Sequence, residues 1–279
     1  MSRPAQISGE DHALTRRQRR EQARAQRKAL ELAAAAGAAR RTRMTQLAVV
    51  VSVVVAGIVA ILIATAGSGA VKKIAPETAA ARSVEAGVST LLAGIPQNGD
   101  VLGRPTAPVT LQYFGDLECP VCRSFTVSAL PSIIGKWVRG GQLRIEYHSL
   151  ETATREEEVF KSQQVAALAA GRQQKMWNFI ETFYHEQGEE DTGYATEGYI
   201  QGIAKQVPGL DLTQWTSERS DPALASQVES DAQAADNAGF DGTPSFLIGR
   251  SGGAMSKLEP SSYSQAGPFD EAIEKLAKS

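Results

Sequence analysis

The two cysteines of this 279-residue chain, Cys119 and Cys122, constrain its fold more than any other feature. They lie in Phe114-Gly-Asp-Leu-Glu-Cys-Pro-Val-Cys-Arg-Ser-Phe125, spaced Cys-x-x-Cys. The apolar, β-branched segment Val109–Phe114 before them predicts a strand. Arg123–Leu130 after them predicts a helix, with Phe125 and Leu130 on related faces. The pair therefore sits at a strand-to-helix junction, with Cys119 in the first helical turn. Unpaired N–H groups and the macrodipole at a helix start favour an anion, and here the anion is a thiolate. A first thiol so placed can have its pKa lowered from about 8.5 into the range of roughly 3.5–7.5. Pro120 suits the first turn, where its missing N–H costs nothing.

Two plainer readings compete with redox chemistry. Cys-x-x-Cys could be half of a zinc site, but zinc takes four ligands, no second pair exists, and His12, His148 and His185 are scattered. A structural disulfide is the other, although closing a two-residue loop stabilises little. Nothing in the sequence calls for a metal or another cofactor. A non-catalytic module binding peptides or a metal ion stays open as an alternative in a different class.

Charge is distributed unevenly along the chain. Residues 1–46 carry 11 Lys+Arg against 4 Asp+Glu, and the remainder carries 18 against 27. The basic tail, residues 1–43, is rich in Ala, Arg and Gln and has few large apolar residues to anchor a core. It could contact nucleic acid or anionic lipid. Because it directly precedes a long uncharged run, it is read as a solvated tail that sets membrane orientation. That run, Leu47–Ala66, has 20 residues without charge, about 30 Å as a helix, and residues 44–67 are predicted to span a membrane. The basic flank places the N-terminus in the cytoplasm and the catalytic bulk outside, at the cell membrane. A cleaved signal peptide ending near Ala64-Thr-Ala66 is the rival, but the leader and apolar run are longer than such peptides use. Either way the bulk is exported to a compartment that permits disulfides. Its acidic balance argues against nucleic-acid binding.

Residues 68–98 read as a linker with one short helix near Ala79–Leu92. The domain proper is expected at 99–279, with strands at Val109–Phe114, Leu143–His148 and Ser245–Ile248, and a hairpin strand that could form at Lys257–Glu259. A helix after the cysteines should kink or restart at Pro131 and run to about Arg139. A helical insertion spans about 152–239, with helices at Arg155–Ala170, Lys175–His185, Gly198–Gln206 and Asp221–Ala238, and Leu210–Trp215 as a link. Its aromatic residues at helical spacing are read as core. Pro268–Ala277 should be a last helix. The other informative site is Gly242-Thr-Pro-Ser-Phe246, where an apolar strand starts directly after a proline.

Taken together, Arg104-Pro-Thr-Ala-Pro-Val-Thr-Leu111, Phe114-Gly-Asp116, Cys-Pro-Val-Cys, the helical insertion and Gly242-Thr-Pro-Ser-Phe246 resemble the DsbA-like thiol–disulfide oxidoreductases. These belong to the thioredoxin-fold superfamily, and the likeness is to its exported, often membrane-anchored branch. It covers residues 99–279. It implies an α/β fold, a thioredoxin-like core of mixed sheet flanked by helices. It implies Cys119 as the solvent-facing nucleophile and Cys122 as its buried partner. It further implies a cis Thr243–Pro244 bond facing the cysteines and a Thr243 backbone that binds an extended substrate segment. Oxidation of exported proteins with thiols would be the favoured direction, with a membrane redox partner reoxidising the pair. A disulfide reductase or isomerase on the same scaffold is the alternative. Two departures stand out. Tyr113 occupies the place, six residues before Cys119, where thioredoxin-like proteins often carry an acid, and Val121 replaces the histidine of the Cys-Pro-His-Cys variant. Asp116 and Glu118 are nearby instead. They could accept protons, or raise the Cys119 pKa by repulsion.

Overall fold

A six-stranded mixed sheet is assembled from β1 (Gln97–Asn98), β2 (Val101–Leu102), β3 (Val109–Gly115), β4 (Leu143–Ser149), β5 (Ser245–Arg250) and β6 (Met255–Lys257). Their order is β1-β2-β4-β3-β5-β6. The strand feeding the cysteines, β3, lies at the centre. It pairs parallel with β4 from Val109↔Leu143 to Gly115↔Ser149, and antiparallel with β5 from Val109↔Arg250 to Phe114↔Ser245. Every β3 residue except Gln112 is buried, as expected for a strand covered on both faces. In β4 buried and half-buried residues alternate. The structure, a computed structural model, describes residues 78–278. The basic tail and the predicted membrane span at 44–67 lie outside the described residues, among which no helix is long and apolar enough to cross a membrane.

Parallel neighbours need a crossover, and the chain supplies it as one helical rod. The rod runs through α2 (Pro120–Ser124), a π turn (Phe125–Ala129), α3 (Leu130–Ile133) and a second π turn (Ile134–Val138). The α-helical pattern restarts at Leu130, with Pro131 in the first turn of the new segment. Leu130 N–H reaches back to Phe125 O, and this widened turn directly before the proline takes up the misfit its ring creates against the preceding turn.

The linker reading of residues 79–98 is corrected. Residues 79–92 form a helix, α1 (Ala79–Leu92), but it is packed rather than tethering. Ala81, Val88 and Leu92 are buried, and Arg139 caps its C-terminal end by donating to Leu91 O and Ala93 O, both at 2.7 Å. β1 and β2 then extend the sheet edge. The folded unit therefore includes residues from Ala79 onward rather than from residue 99. Two-residue strands are too short to show a period of two.

Between β4 and β5 come α4 (Glu157–Arg172), α5 (Met176–Glu186), α6 (Glu197–Lys205), α7 (Leu212–Glu218) and α8 (Pro222–Ala238), and α9 (Gly267–Ala277) closes the chain. Side chains of Thr196, Asp211 and Asp221 cap α6, α7 and α8. The sequence reading missed α7 as a helix. Asp211 binds the N–H groups of Thr213 and Gln214, and the buried Trp215 donates its indole N–H to Ala166 O at 2.8 Å. Trp177, Phe179 and Phe183 are fully buried. The insertion is bolted to the sheet by Asp231, which binds His148 Nδ1 at 2.8 Å and Ser149 N–H at 2.9 Å. Gly239 ends α8 in the left-handed conformation (φ 63°) and begins the loop leading to Thr243. Gly239→Ala is expected to cost about 1 kcal/mol, read as a lower urea midpoint, because a Cβ is strained there.

Candidate active site

Cys119 follows β3 by four residues and is the N-cap of α2. Its Sγ accepts from Cys122 N–H at 3.3 Å, and Pro120 takes the first helical position. Both cysteines are free and buried, Cys119 keeping 5% of its surface and Cys122 none. Cys119 is thus less open than a solvent-facing residue, although its neighbours Pro120 and Val121 are exposed, Val121 by 43%. The loop containing the cis Thr243–Pro244 bond closes over the pair, with Thr243 O 3.4 Å from Cys119 Sγ.

These contacts split the two thiols. The Cys122 thiol hydrogen-bonds Cys119 and holds its pKa down to about 6. Burial opposes this, while the Thr243 side chain and the N–H groups of Cys122 and Val121 assist it. Cys122 moves the other way. Burial and the hydrogen bond it gives Cys119 push it well above its ordinary value. At neutral pH the site holds one thiolate and one thiol.

Asp116 and Glu118, the candidates for proton transfer, are both buried beside the cysteine loop. Asp116 is fully buried and its oxygens are taken up. Oδ1 accepts from Glu118 N–H at 2.9 Å and the Thr154 hydroxyl at 2.7 Å. Oδ2 accepts from the N–H groups of Thr152, Ala153 and Thr154 at 2.8–2.9 Å. It ties the cysteine loop to the loop after β4. Glu118 is 5% exposed, bonded to Gln163 Nε2 at 2.6 Å, and raised in pKa chiefly by burial. It faces a cavity of about 210 Å³ that it shares with Thr154, Arg155 and Asp191. The leading influences on Cys119 are Cys122, burial and Thr243, not these carboxylates.

In the place of an acid six residues before Cys119, Tyr113 is fully buried, in contact with the rings of Phe125, Tyr147 and Phe246 at centroid distances of 5.0–5.4 Å. Its hydroxyl donates to Tyr184, which donates to Asp116 O, while Tyr147 donates to Gly115 O. Three tyrosines thus support the backbone that carries the cysteine loop. Two further residues escaped the sequence reading. Gln187 Nε2 donates to Leu117 O at 2.7 Å and to Cys119 O at 3.2 Å, and Thr152 contacts Thr243 hydroxyl to hydroxyl. Both lie far from the cysteines in sequence and carry no motif. Among the described residues no group of three or more His, Cys, Asp or Glu side chains could hold a metal ion.

A helix-capping cysteine, its buried partner and a cis-proline loop on this sheet define a thioredoxin-fold site for thiol–disulfide exchange. Residues 97–260 match the family described as Thioredoxin. The chain belongs to that family, in its DsbA-like group, and is a thiol–disulfide oxidoreductase. Disulfide bond formation protein D of Bacillus subtilis is 26% identical over 153 residues, covering 53% of this chain and 66% of that protein. The probable disulfide bond formation protein D of Bacillus anthracis is 24% identical over 154 residues, 53% of this chain and 68% of that one. Among solved structures, oxidised BdbD from Bacillus subtilis shares the fold with TM-score 0.55 and 21% identity, over 67% of this chain and 98% of that one. The α-DsbA1 of Wolbachia pipientis does so with TM-score 0.54 and 18% identity, over 67% and 92%.

Proposed function

We propose that this protein is an exported, membrane-tethered oxidase that introduces disulfides into other exported proteins. The observation that carries the direction is the split between the thiols, Cys119 low and Cys122 high. A substrate thiolate attacks Cys119 Sγ of the Cys119–Cys122 disulfide. The S–S bond breaks and its electron pair leaves on Cys122 Sγ, which takes up a proton. A second substrate thiolate then attacks the substrate sulfur of the mixed disulfide and expels Cys119 as a thiolate. The substrate gains one disulfide and gives up two electrons, which the protein pair holds. A sulfur that is stable as an anion leaves quickly and stabilises the reduced pair, and both effects favour oxidation of the substrate.

In this reading Cys119 is the reactive cysteine, attacked by the substrate and later expelled, and Cys122 is its buried partner. Pro120 shapes the first turn and Val121 offers an apolar contact. Thr243 and Pro244 bind the substrate segment as an added strand. The uncharged run at 47–66 with its basic flank supports a retained anchor, with the N-terminus cytoplasmic and the catalytic domain outside. An anchored oxidase needs its two electrons removed, and a membrane redox partner linked to quinones would accept them. The names of the Bacillus relatives support the assignment to disulfide formation.

The reduction potential of the Cys119–Cys122 pair, equilibrated in glutathione buffers, tests the direction. A value near roughly −120 mV is expected for an oxidase, while one near about −270 mV would make the protein a reductase. The anchor is tested separately. The chain should stay with the membrane fraction under carbonate extraction, with its C-terminal domain open to protease from outside; a soluble product shortened at about residue 66 would sink the anchor.

A further inference from the structure

Glu118 and the cavity it faces have no part in the exchange chemistry derived above. The residue is all but buried, and among the described residues its carboxyl group has one hydrogen bond, Gln163 Nε2 donating to Oε1. Oε2 is left without a partner, so nothing in the protein repays its loss of water. The cavity holds about 210 Å³, room for about seven waters at about 30 Å³ each, or for one long side chain. Ala153, Val159 and Gly193 supply apolar lining, and the exposed Arg155 and Asp191 also border it.

The cavity lies between the two loops that flank the reactive sulfur. Glu118 directly precedes Cys119, with its Cα about 3.8 Å from that of the cysteine. On the other side, Ala153 and Thr154 follow Thr152, whose hydroxyl contacts that of Thr243, and Thr243 O is 3.4 Å from Cys119 Sγ. A substrate segment joined to Cys119 through its own cysteine therefore brings neighbouring side chains within reach of the cavity. The charges there select a cation. Arg155 Nη2 donates to Asp191 Oδ2 at 2.7 Å, so the guanidinium is already matched, while Glu118 and the exposed Glu156 are in no ion pair among the described residues. Burial raises the Glu118 pKa against the pull of Gln163, and the neighbouring charges of Asp116, Asp191 and Glu190 raise it further. An ammonium or guanidinium entering the cavity would bring both the donor and the countercharge that Glu118 lacks. We propose that this cavity is a specificity subsite: it receives a lysine or arginine side chain of the substrate, close to the reacting cysteine, and pairs it with Glu118. The inference deepens the proposed function and rests on Cys119 being the residue that joins to substrate.

Short single-cysteine peptides in an alanine–serine background test it, with lysine, norleucine or glutamate at one of the three positions on either side of the cysteine. The rate at which each reduces the oxidised full chain, in micelles of an uncharged detergent, is followed by mass spectrometry of acid-quenched samples. Norleucine keeps the lysine stem without the charge, so the lysine-to-norleucine ratio cancels any change in the reactivity of Cys119 itself. Salt at about 1 M, where the Debye length is about 3 Å, removes the pull of exposed carboxylates such as Glu189 and Glu190. At one position the ratio is expected to be about tenfold, the low end for a hydrogen bond between charged groups, with the glutamate peptide slower than norleucine. Glu118→Gln keeps the shape and can still accept from Gln163, and its ratio should fall to about one. Ala153→Leu leaves the Ala153 N–H on Asp116 and fills the cavity, so it should lower the ratio in the same way. A ratio near unity at every position in the unmodified chain overturns the proposal, and so does a preference that survives in either variant. A reductase-like potential for the pair would sink the oxidase reading and leave this ratio standing, because the same mixed disulfide forms in both directions.

Discussion

Cys119→Ser is expected to abolish exchange with glutathione, a loss of several orders of magnitude, while Cys122→Ser keeps the attack and loses the release. The reason is the split between the sulfurs. With its pKa held near 6, Cys119 is about nine-tenths thiolate at neutral pH, against a few per cent for an ordinary cysteine. Cys122 has no exposed surface and is pushed upward by burial, so it cannot take over when Cys119 is removed. In Cys122→Ser the remaining sulfur forms mixed disulfides that no neighbouring thiol can resolve, visible by mass spectrometry as glutathione adducts. Cys122→Ala goes further. It deletes the thiol donor that is the largest influence on Cys119, so the Cys119 midpoint should rise, whereas a serine hydroxyl can retain the bond. Exchange that survives in Cys119→Ser would reverse the assigned roles.

Glu181→Gln is expected to stabilise the protein by an amount that grows steadily as the pH rises above about 4.5. Glu181 lies on α5 with no exposed surface and neither carboxyl oxygen hydrogen-bonded; burial alone pushes its pKa up to about 8. His185 Nε2, one turn on, is 4.0 Å away, too far for a hydrogen bond. The His185 pKa is itself lowered, first by burial and then by Arg123, so no ion pair forms there at neutral pH. The folded chain holds the Glu181 proton up to about pH 8, and the unfolded chain only to about pH 4.5. Between these values the native state binds more protons, and raising the pH destabilises it. The loss accumulates to about 5 kcal/mol by pH 8 and is absent below about pH 4.5. Glutamine cannot ionise. The urea midpoints of the two proteins should therefore be similar near about pH 4.5 and separate as the pH rises, with the glutamine variant the more stable. Midpoints that stay parallel over this range would mean that Glu181 ionises normally.

The carboxyls show most clearly where sequence reading reaches its limit. Asp116 and Glu118 stand three and one residues from Cys119, and proximity in sequence makes them candidates for proton transfer. In the fold, Asp116 spends its lone pairs on the amides of 152–154 and the hydroxyl of Thr154. Among the carboxyls of the described residues, the one with the most displaced pKa value, Glu181, sits within a helix whose apolar spacing gives no hint of it. Which lone pairs are occupied depends on residues tens of positions away, and no local pattern records that.

Local sequence is enough to specify the elements and the chemistry they carry. Alternating or continuous apolar runs make β3, β4 and β5, the 3.6-residue spacing makes the insertion helices, and Cys-Pro-Val-Cys after a strand puts a thiol at a helix start. These are consequences of period, capping and proline geometry within a few residues of each other. What the elements do to one another is settled only when they pack. Packing makes α1 and the two short edge strands part of the folded unit, brings Thr243 O within 3.4 Å of Cys119, and lets Thr152 and Gln187 reach the site at all. Those contacts join residues up to 124 positions apart. They arise from how strands and helices stack around a shared core, a property of the whole chain and not of any stretch within it.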